Sequence, residues 1–411
     1  MPFHYISRRR QIIKSFYSGI GKTAVIFPAA FLMALGQGHL MLGMVFYLRE
    51  VYHASGIQIG AFFALWSLVY ILGCLVIRPL TDRMLPRYQL IIATLGMTVF
   101  TLCMHYGGRL VLAYVFYACS GVAASLFWPP AMGWLSADLA GAKLGRVMSR
   151  FNISWSVGAI LSPFLAGWLS EQGPQWPVFA AVGFFLFAAV LISGAALALP
   201  KVRGDRHSAA TANEQNHAED QSTPLRFSAW VGAYNAFLAI GIIICIFPLA
   251  AREHLFFTKR LIGLLLLSRA FFTMLAMAMM GRTAFWHHRS NQIILGQLAL
   301  AGAIFLMRGA SHPLWIGVLI SLVGLSMGIS YFNSMFHGMA GCANRAARSA
   351  IHEALISAGL ITGTTLGGFL YQRFSIQAAY LTCAAIILAG VLIQALISWY
   401  YRQAIRAAID T

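Results

Sequence analysis

Charge is what this sequence lacks. Only 10% of its 411 residues are Asp, Glu, Lys or Arg, against about 25% in an ordinary soluble chain. Acids are the scarcer sign, 11 against 29 Lys and Arg. So few charges exclude a water-solvated surface over most of the chain. Six cysteines are scattered through apolar stretches with no CxxC pair, which argues against a disulfide framework or a zinc site. The pattern GxxxxGK[ST] is missing, so nothing supports nucleotide-driven pumping by this chain. No metal site and no cofactor are expected.

What remains is oil. Hydrophobic residues make up 59% of the chain and the mean hydropathy is +0.74. A bilayer-spanning helix needs about 20 apolar residues, and helices satisfy their own backbone in lipid. The apolar runs predict twelve spans, at 23–47, 58–78, 89–106, 110–134, 151–170, 176–199, 229–251, 261–280, 291–307, 313–336, 351–371 and 376–400. Pro129, Pro130 and Pro248 lie inside two of them, where neighbouring helices can take over the freed carbonyls.

A net charge of +18 would suggest nucleic acid in a soluble protein. Here Lys and Arg sit in short loops between spans, roughly three to one on the side that includes both ends of the chain, so they read as orientation signals. The expected location is a plasma membrane, bacterial inner membrane included, with both termini cytoplasmic. The basic start MPFHYISRRR then reads as a cytoplasmic tail. No nucleic-acid partner is expected.

One segment breaks the oil. Residues 200–227 are polar, rich in Ala, Ser and Asn, and of mixed charge, which predicts a flexible linker. Six spans precede it and six follow, giving 1–199, a linker at 200–228, and 229–411. GAILSPFLAGW (158–168) and GLITGTTLGGF (359–369) align with Gly158 on Gly359 and Ser162 on Gly363. Small residues at those steps let helices approach closely. A basic loop precedes each, GRVMSR (145–150) and RAAR (345–348), which favours a duplication.

RPLTDRMLPR (78–87) lies between the second and third spans. With two six-span halves and a long central loop, it resembles the loop signature of the major facilitator superfamily. Asp82 and Arg83 match its Asp-Arg core and Arg87 its trailing base, while Arg78 and Leu85 replace its glycines. The resemblance covers nearly the whole chain. It implies an all-α integral membrane protein of twelve transmembrane helices in two pseudo-symmetric six-helix bundles, working by alternating access. It also implies that Asp82 latches the first half to the eleventh span when the cytoplasmic side is closed. The corresponding loop of the second half, GRTAFWHHRS (281–290), has Phe285 where the acid would be. Tyr117 replaces the arginine associated with proton-coupled members, and Ser162-Pro163 with Ala166-Gly167 replaces the antiporter signature, so proton-driven drug antiport loses support.

Ionisable side chains at mid-depth are costly and usually face a partner or cavity. Arg269 is the clearest, suited to an anionic group. Gln37 and His39 stand among Gly36, Gly38 and Gly43 on a helix that suits a midplane site. Tyr234, Asn235, Trp128 and Asn333 could add amide and aromatic contacts, though each is also a natural packing residue. Glu353, with His352 before it, opens the eleventh span and aligns with Asn152. It is expected to pair at a gate with Arg345 or Arg348, or with Arg146 or Arg150. His39 and Glu353 are the candidate proton carriers.

The expected function is secondary active transport of a small organic solute, anionic if Arg269 binds it, by a monomer in the lipid bilayer, with protons the candidate coupling ion. Alternatives are a transporter-like sensor, a lipid-handling protein, or an exporter of hydrophobic compounds. An enzyme is not expected, because only WHHR (286–289) crowds histidines and no carboxylate accompanies them.

Overall fold

A computed structural model describes residues 23–77, 84–136, 141–198, 223–287, 289–340 and 345–410. Asp82, Arg83 and most of the linker lie outside them. The described residues are helical, without strands. The helices are α1 (Thr23–Val51), α2 (Gly56–Leu72), α3 (Pro86–Tyr106), α4 (Leu110–Ser125), α5 (Trp128–Ser136), α6 (Gly141–Gln172) and α7 (Trp176–Ala198). They continue as α8 (Leu225–Cys245), α9 (Phe247–Glu253), α10 (Lys259–Arg282), α11 (Ser290–Leu306), α12 (Pro313–Met339), α13 (Arg345–Arg373) and α14 (Ile376–Asp410).

Eleven spans among the described residues are long and apolar enough to cross a membrane. Ser290–Leu306, at 17 residues, is a shorter twelfth apolar helix. The prolines act as the sequence anticipates. The fourth span breaks at Leu126 and Phe127, and α5 restarts with Pro129 and Pro130 in its first turn. The seventh breaks at Ile246, and Pro248 opens α9. Proline is tolerated there because the first-turn N–H has no intrahelical acceptor. The second span ends in a π-helical turn, Gly73–Ile77. The seventh span begins at Leu225, a turn before the expected 229.

The chain forms two compact units, Met1–Tyr52 with Leu68–Arg206, and His53–Ser67 with His207–Thr411. The first part of α2 therefore groups with the second unit, whereas the sequence assigns it to the first half. Within that unit Gly60 packs on the Thr364 backbone, and the Gly56 N–H donates to Gln372 Oε1 at 2.9 Å.

Each unit has a close crossing of the same kind. In the first, Gly158 of α6 rests on the α1 backbone between Phe31 and Leu35, and Ser162 of α6 covers Gly38. In the second, Gly359 of α13 rests on α8 between Tyr234 and Leu238, and Gly363 meets Gly241. The aligned pairs, Gly158 with Gly359 and Ser162 with Gly363, do the same job in both units. Burial is greatest in the span from Leu225 to Glu253, 89% of whose most apolar window is buried. A helix apolar on all sides belongs in an interior. By contrast Leu295, Val111 and Leu314 stand exposed, as lipid-facing side chains do.

Candidate functional site

The register that sets Gly158 on Gly359 also sets Phe151 on His352 and Asn152 on Glu353. In the first unit Trp128, half-buried at the start of α5, meets Phe151 edge-on at 6.4 Å and Trp155 at 6.2 Å. Trp155 Nε1 donates to Asn152 Oδ1 at 3.1 Å. In the second unit Tyr331 of α12 meets His352 edge-on at 4.8 Å. Ser334 Oγ lies 2.8 Å from His352 Nδ1, and Glu353 follows His352 on α13. Elsewhere on α13, Thr362 Oγ1 accepts from the Tyr234 hydroxyl of α8 at 3.1 Å, while Phe237 of α8 tilts against Tyr331 of α12 at 6.3 Å. The first unit thus offers aromatics and an amide where the second offers a phenol, an imidazole and a carboxylate. Among the described residues His352 Nε2 is buried with no hydrogen-bond partner.

Arg269 is half-buried in α10. Its Nη1 lies 3.7 Å from Met327 Sδ on α12, and its Nε is buried without a partner among the described residues. The surrounding structure holds its backbone firmly. Gly324 lies against the Arg269 carbonyl, and Thr273 Oγ1 reaches the Arg269 and Gly324 carbonyls at 3.0 and 2.9 Å.

Other expected site residues lie in packing. His39 is 1% exposed, its Nδ1 2.7 Å from the Leu35 carbonyl and its ring edge-on to Phe184. Gln37 is half-buried, and its amide nitrogen has no hydrogen-bond partner among the described residues. Gly36 and Gly43 are filled by Phe185 and Pro177, so the glycines serve helix contact. Asn235 and Asn333 are both hydrogen-bonded inside the unit, and Asn235 also lines a cavity of about 530 Å³ together with Tyr234. Asn235 Nδ2 donates to Gln297 Oε1 at 3.0 Å, and Gln297 Nε2 donates to Ser330 Oγ at 2.8 Å and the Gly232 carbonyl at 3.2 Å. Asn333 is fully buried, and its Nδ2 reaches the Ile329 carbonyl at 3.0 Å and Gln292 Oε1 at 3.2 Å. Buried amides need such partners, and these tie α8, α11 and α12 together. Gln297 is not among the candidates that the sequence suggests, although a lone glutamine in GQLALAGA is the available signal.

Among the gate candidates, Arg87 is buried in the first turn of α3, and Arg146 and Arg150 are exposed on α6. Glu353 is exposed and makes no ion pair within the second unit among the described residues. The guanidinium of Arg348 sits 5.5 Å from the centre of the Trp230 ring, a cation–π contact on α8. The Arg345 side chain lies outside the described residues.

Two helical units with a repeated crossing, built from spans long and apolar enough to cross a membrane, define a polytopic membrane protein. Residues 26–340 match the family model described as Major Facilitator Superfamily. The chain belongs to that family and is a secondary transporter. It is 22% identical over 386 residues, 89% of each chain, to the multi-drug resistance efflux pump PmrA of Streptococcus pneumoniae, in strains TIGR4 and R6 alike. Crystal structures of the nucleoside transporter NupG share its fold. One, of a single-site mutant, aligns with a TM-score of 0.72 at 11% identity, covering 92% of this chain and 100% of that one. A second NupG structure gives 0.72 at 12%, covering 92% and 99%.

Proposed function

We propose that this transporter carries a small organic anion by alternating access between its 1–199 and 229–411 halves, as a monomer in a bacterial inner membrane with both termini cytoplasmic. The observation that carries the anionic reading is Arg269. A cation inside a membrane helix is costly unless paired, and no acid partners it among the described residues. A carboxylate or phosphate on the solute would supply the missing charge-assisted bonds. The candidate solute contacts are Tyr331, His352 and Tyr234 in the second unit, and Trp128 and Trp155 in the first. Protons are the candidate coupling ion, through Glu353 or His352, and no catalytic step is assigned to the chain.

The testing experiment is thermal unfolding of the detergent-purified protein with carboxylates, phosphates, nucleosides and cationic drugs, for wild type and Arg269→Ala. Anions should raise the melting temperature of wild type only. Equal shifts in both proteins would remove Arg269 from the site.

A second reading, export of hydrophobic compounds, has its own support in the aromatic group at Trp128, Phe151 and Trp155 and in the similarity to an efflux pump. Stabilisation by apolar drugs that survives Arg269→Ala and is lost in Trp128→Ala would favour it. No ligand shift of any kind would favour a sensor or lipid-handling role.

A further inference from the structure

The second unit contains a cavity of about 1100 Å³ that none of the candidate solute-binding residues lines. It lies where α10, α11, α12 and α14 converge. Its walls are apolar, built from Met279, Leu295, Ile329 and Ile397 among others, and its rim carries Arg282 and Arg289. No Asp or Glu lines it among the described residues. Met279 is 55% and Leu295 64% exposed. In a membrane chain such exposure marks a side open to acyl chains rather than to water.

The rim is held in place. Trp286, 1% exposed, donates from Nε1 to the Met280 carbonyl at 2.9 Å and the Thr283 carbonyl at 2.8 Å. Its ring packs edge-on against Phe332 and Phe336 of α12. With Trp286 sunk into the bundle, the loop leaves Arg282, Phe285 and Arg289 outside, all exposed. Neither guanidinium bonds to another described residue. Ser398 lines the cavity too, and its hydroxyl is buried with no partner among the described residues.

We infer that this cavity holds an anionic phospholipid, its phosphate between Arg282 and Arg289 and its upper acyl chains against Met279, Leu295 and Ile397. Arginine pairs with phosphate in a fork geometry. Basic pockets between helices at the cytoplasmic surface are suited to anionic headgroups. A soluble anion would leave the apolar walls unfilled, and a zwitterionic lipid would bring a third cation to a rim that already has two. A competing occupant is the linker, whose Glu219 and Asp220 precede the lining residue Thr223. Two carboxylates satisfy the arginines but not the walls. The inference rests on the cytoplasmic placement of the 282–289 loop and not on the identity of the solute.

The test is native mass spectrometry and thermal unfolding of the full chain, titrated with phosphatidylglycerol or with phosphatidylcholine of the same acyl chains. Phosphatidylglycerol should be retained preferentially and raise the melting temperature. Each arginine should contribute about fivefold to that preference, so Arg282→Gln/Arg289→Gln loses roughly 25-fold. Glycerol phosphate should give no shift, Glu219→Gln/Asp220→Asn should leave the preference intact, and so should Arg269→Ala. Equal retention of the two lipids, or a preference that survives loss of both arginines, overturns the inference. A glycerol phosphate shift equal to that of the lipid overturns it in favour of a soluble anion. A preference that emerges only in the linker variant overturns it in favour of the linker acids.

Discussion

Gly324 on α12 rests against the backbone carbonyl of Arg269 on α10. The arginine is therefore positioned by a helix crossing as well as by contacts of its own side chain. Gly324→Val would drive a branched side chain into that carbonyl, and overpacking of this kind costs about 1–3 kcal/mol. The expected outcome is a lower melting temperature together with loss of anion-dependent stabilisation, although the guanidinium is chemically intact. Met327→Leu, which removes the sulfur near Nη1 and spares the crossing, should keep the anion response. Thermal unfolding with and without the anion separates the two. An unchanged response in Gly324→Val would free Arg269 from its dependence on the crossing.

His352 occupies the place that Phe151 holds in the first unit, and both meet an aromatic ring edge-on. A phenylalanine therefore fits there in kind. His352→Phe should fold, losing the hydrogen bond to Ser334 and about 1 kcal/mol. If the imidazole serves the solute or a proton, uptake by proteoliposomes should fall roughly tenfold, the equivalent of one hydrogen bond of about 1.4 kcal/mol. Near-normal uptake would make His352 a packing residue like its counterpart.

Gln297 is a hub, joined to Asn235, Ser330 and the Gly232 carbonyl. Interhelical hydrogen bonds in membranes average about 0.6 kcal/mol, with about 1.7 as an upper value. Gln297→Leu should therefore cost roughly 1–3 kcal/mol once the stranded Asn235 amide is included. The double variant Asn235→Leu/Gln297→Leu should lose less than the sum of the singles, because each then strands nothing of the other. A thermal double-mutant cycle measures this. Strict additivity would dissolve the network.

Depth was readable from the sequence and direction was not. Hydropathy places a residue along the membrane normal, so the spans, the proline breaks and the place of Arg269 inside an apolar helix could all be read directly. It does not say which way a side chain points on a helix buried all round, such as α1 or α8. For that reason the sequence did not announce that His39 is held by Leu35 and Phe184, or that Asn235 is bonded to Gln297. Glu353 and Arg348 are near in sequence and opposite in charge, yet Trp230, more than a hundred positions away, offers the arginine an aromatic face that no local pattern announces.

The duplication makes an asymmetric prediction. Ser162 and Gly363 are aligned, but their surroundings differ. The Ser162 side chain has its place above Gly38, whereas a Cβ at Gly363 would collide with the Leu238 carbonyl and crowd Gly241. Ser162→Gly removes a small buried side chain and adds a helical glycine, costing about 1 kcal/mol. Gly363→Ser meets backbone, which no change of rotamer relieves, so it should reach or exceed the roughly 1–3 kcal/mol typical of overpacking. Melting temperatures of the two variants in one detergent give the comparison, with Gly363→Ser expected to fall further. Equal falls would mean that the two crossings tolerate the same contents, and that their difference in sequence reflects no difference in packing.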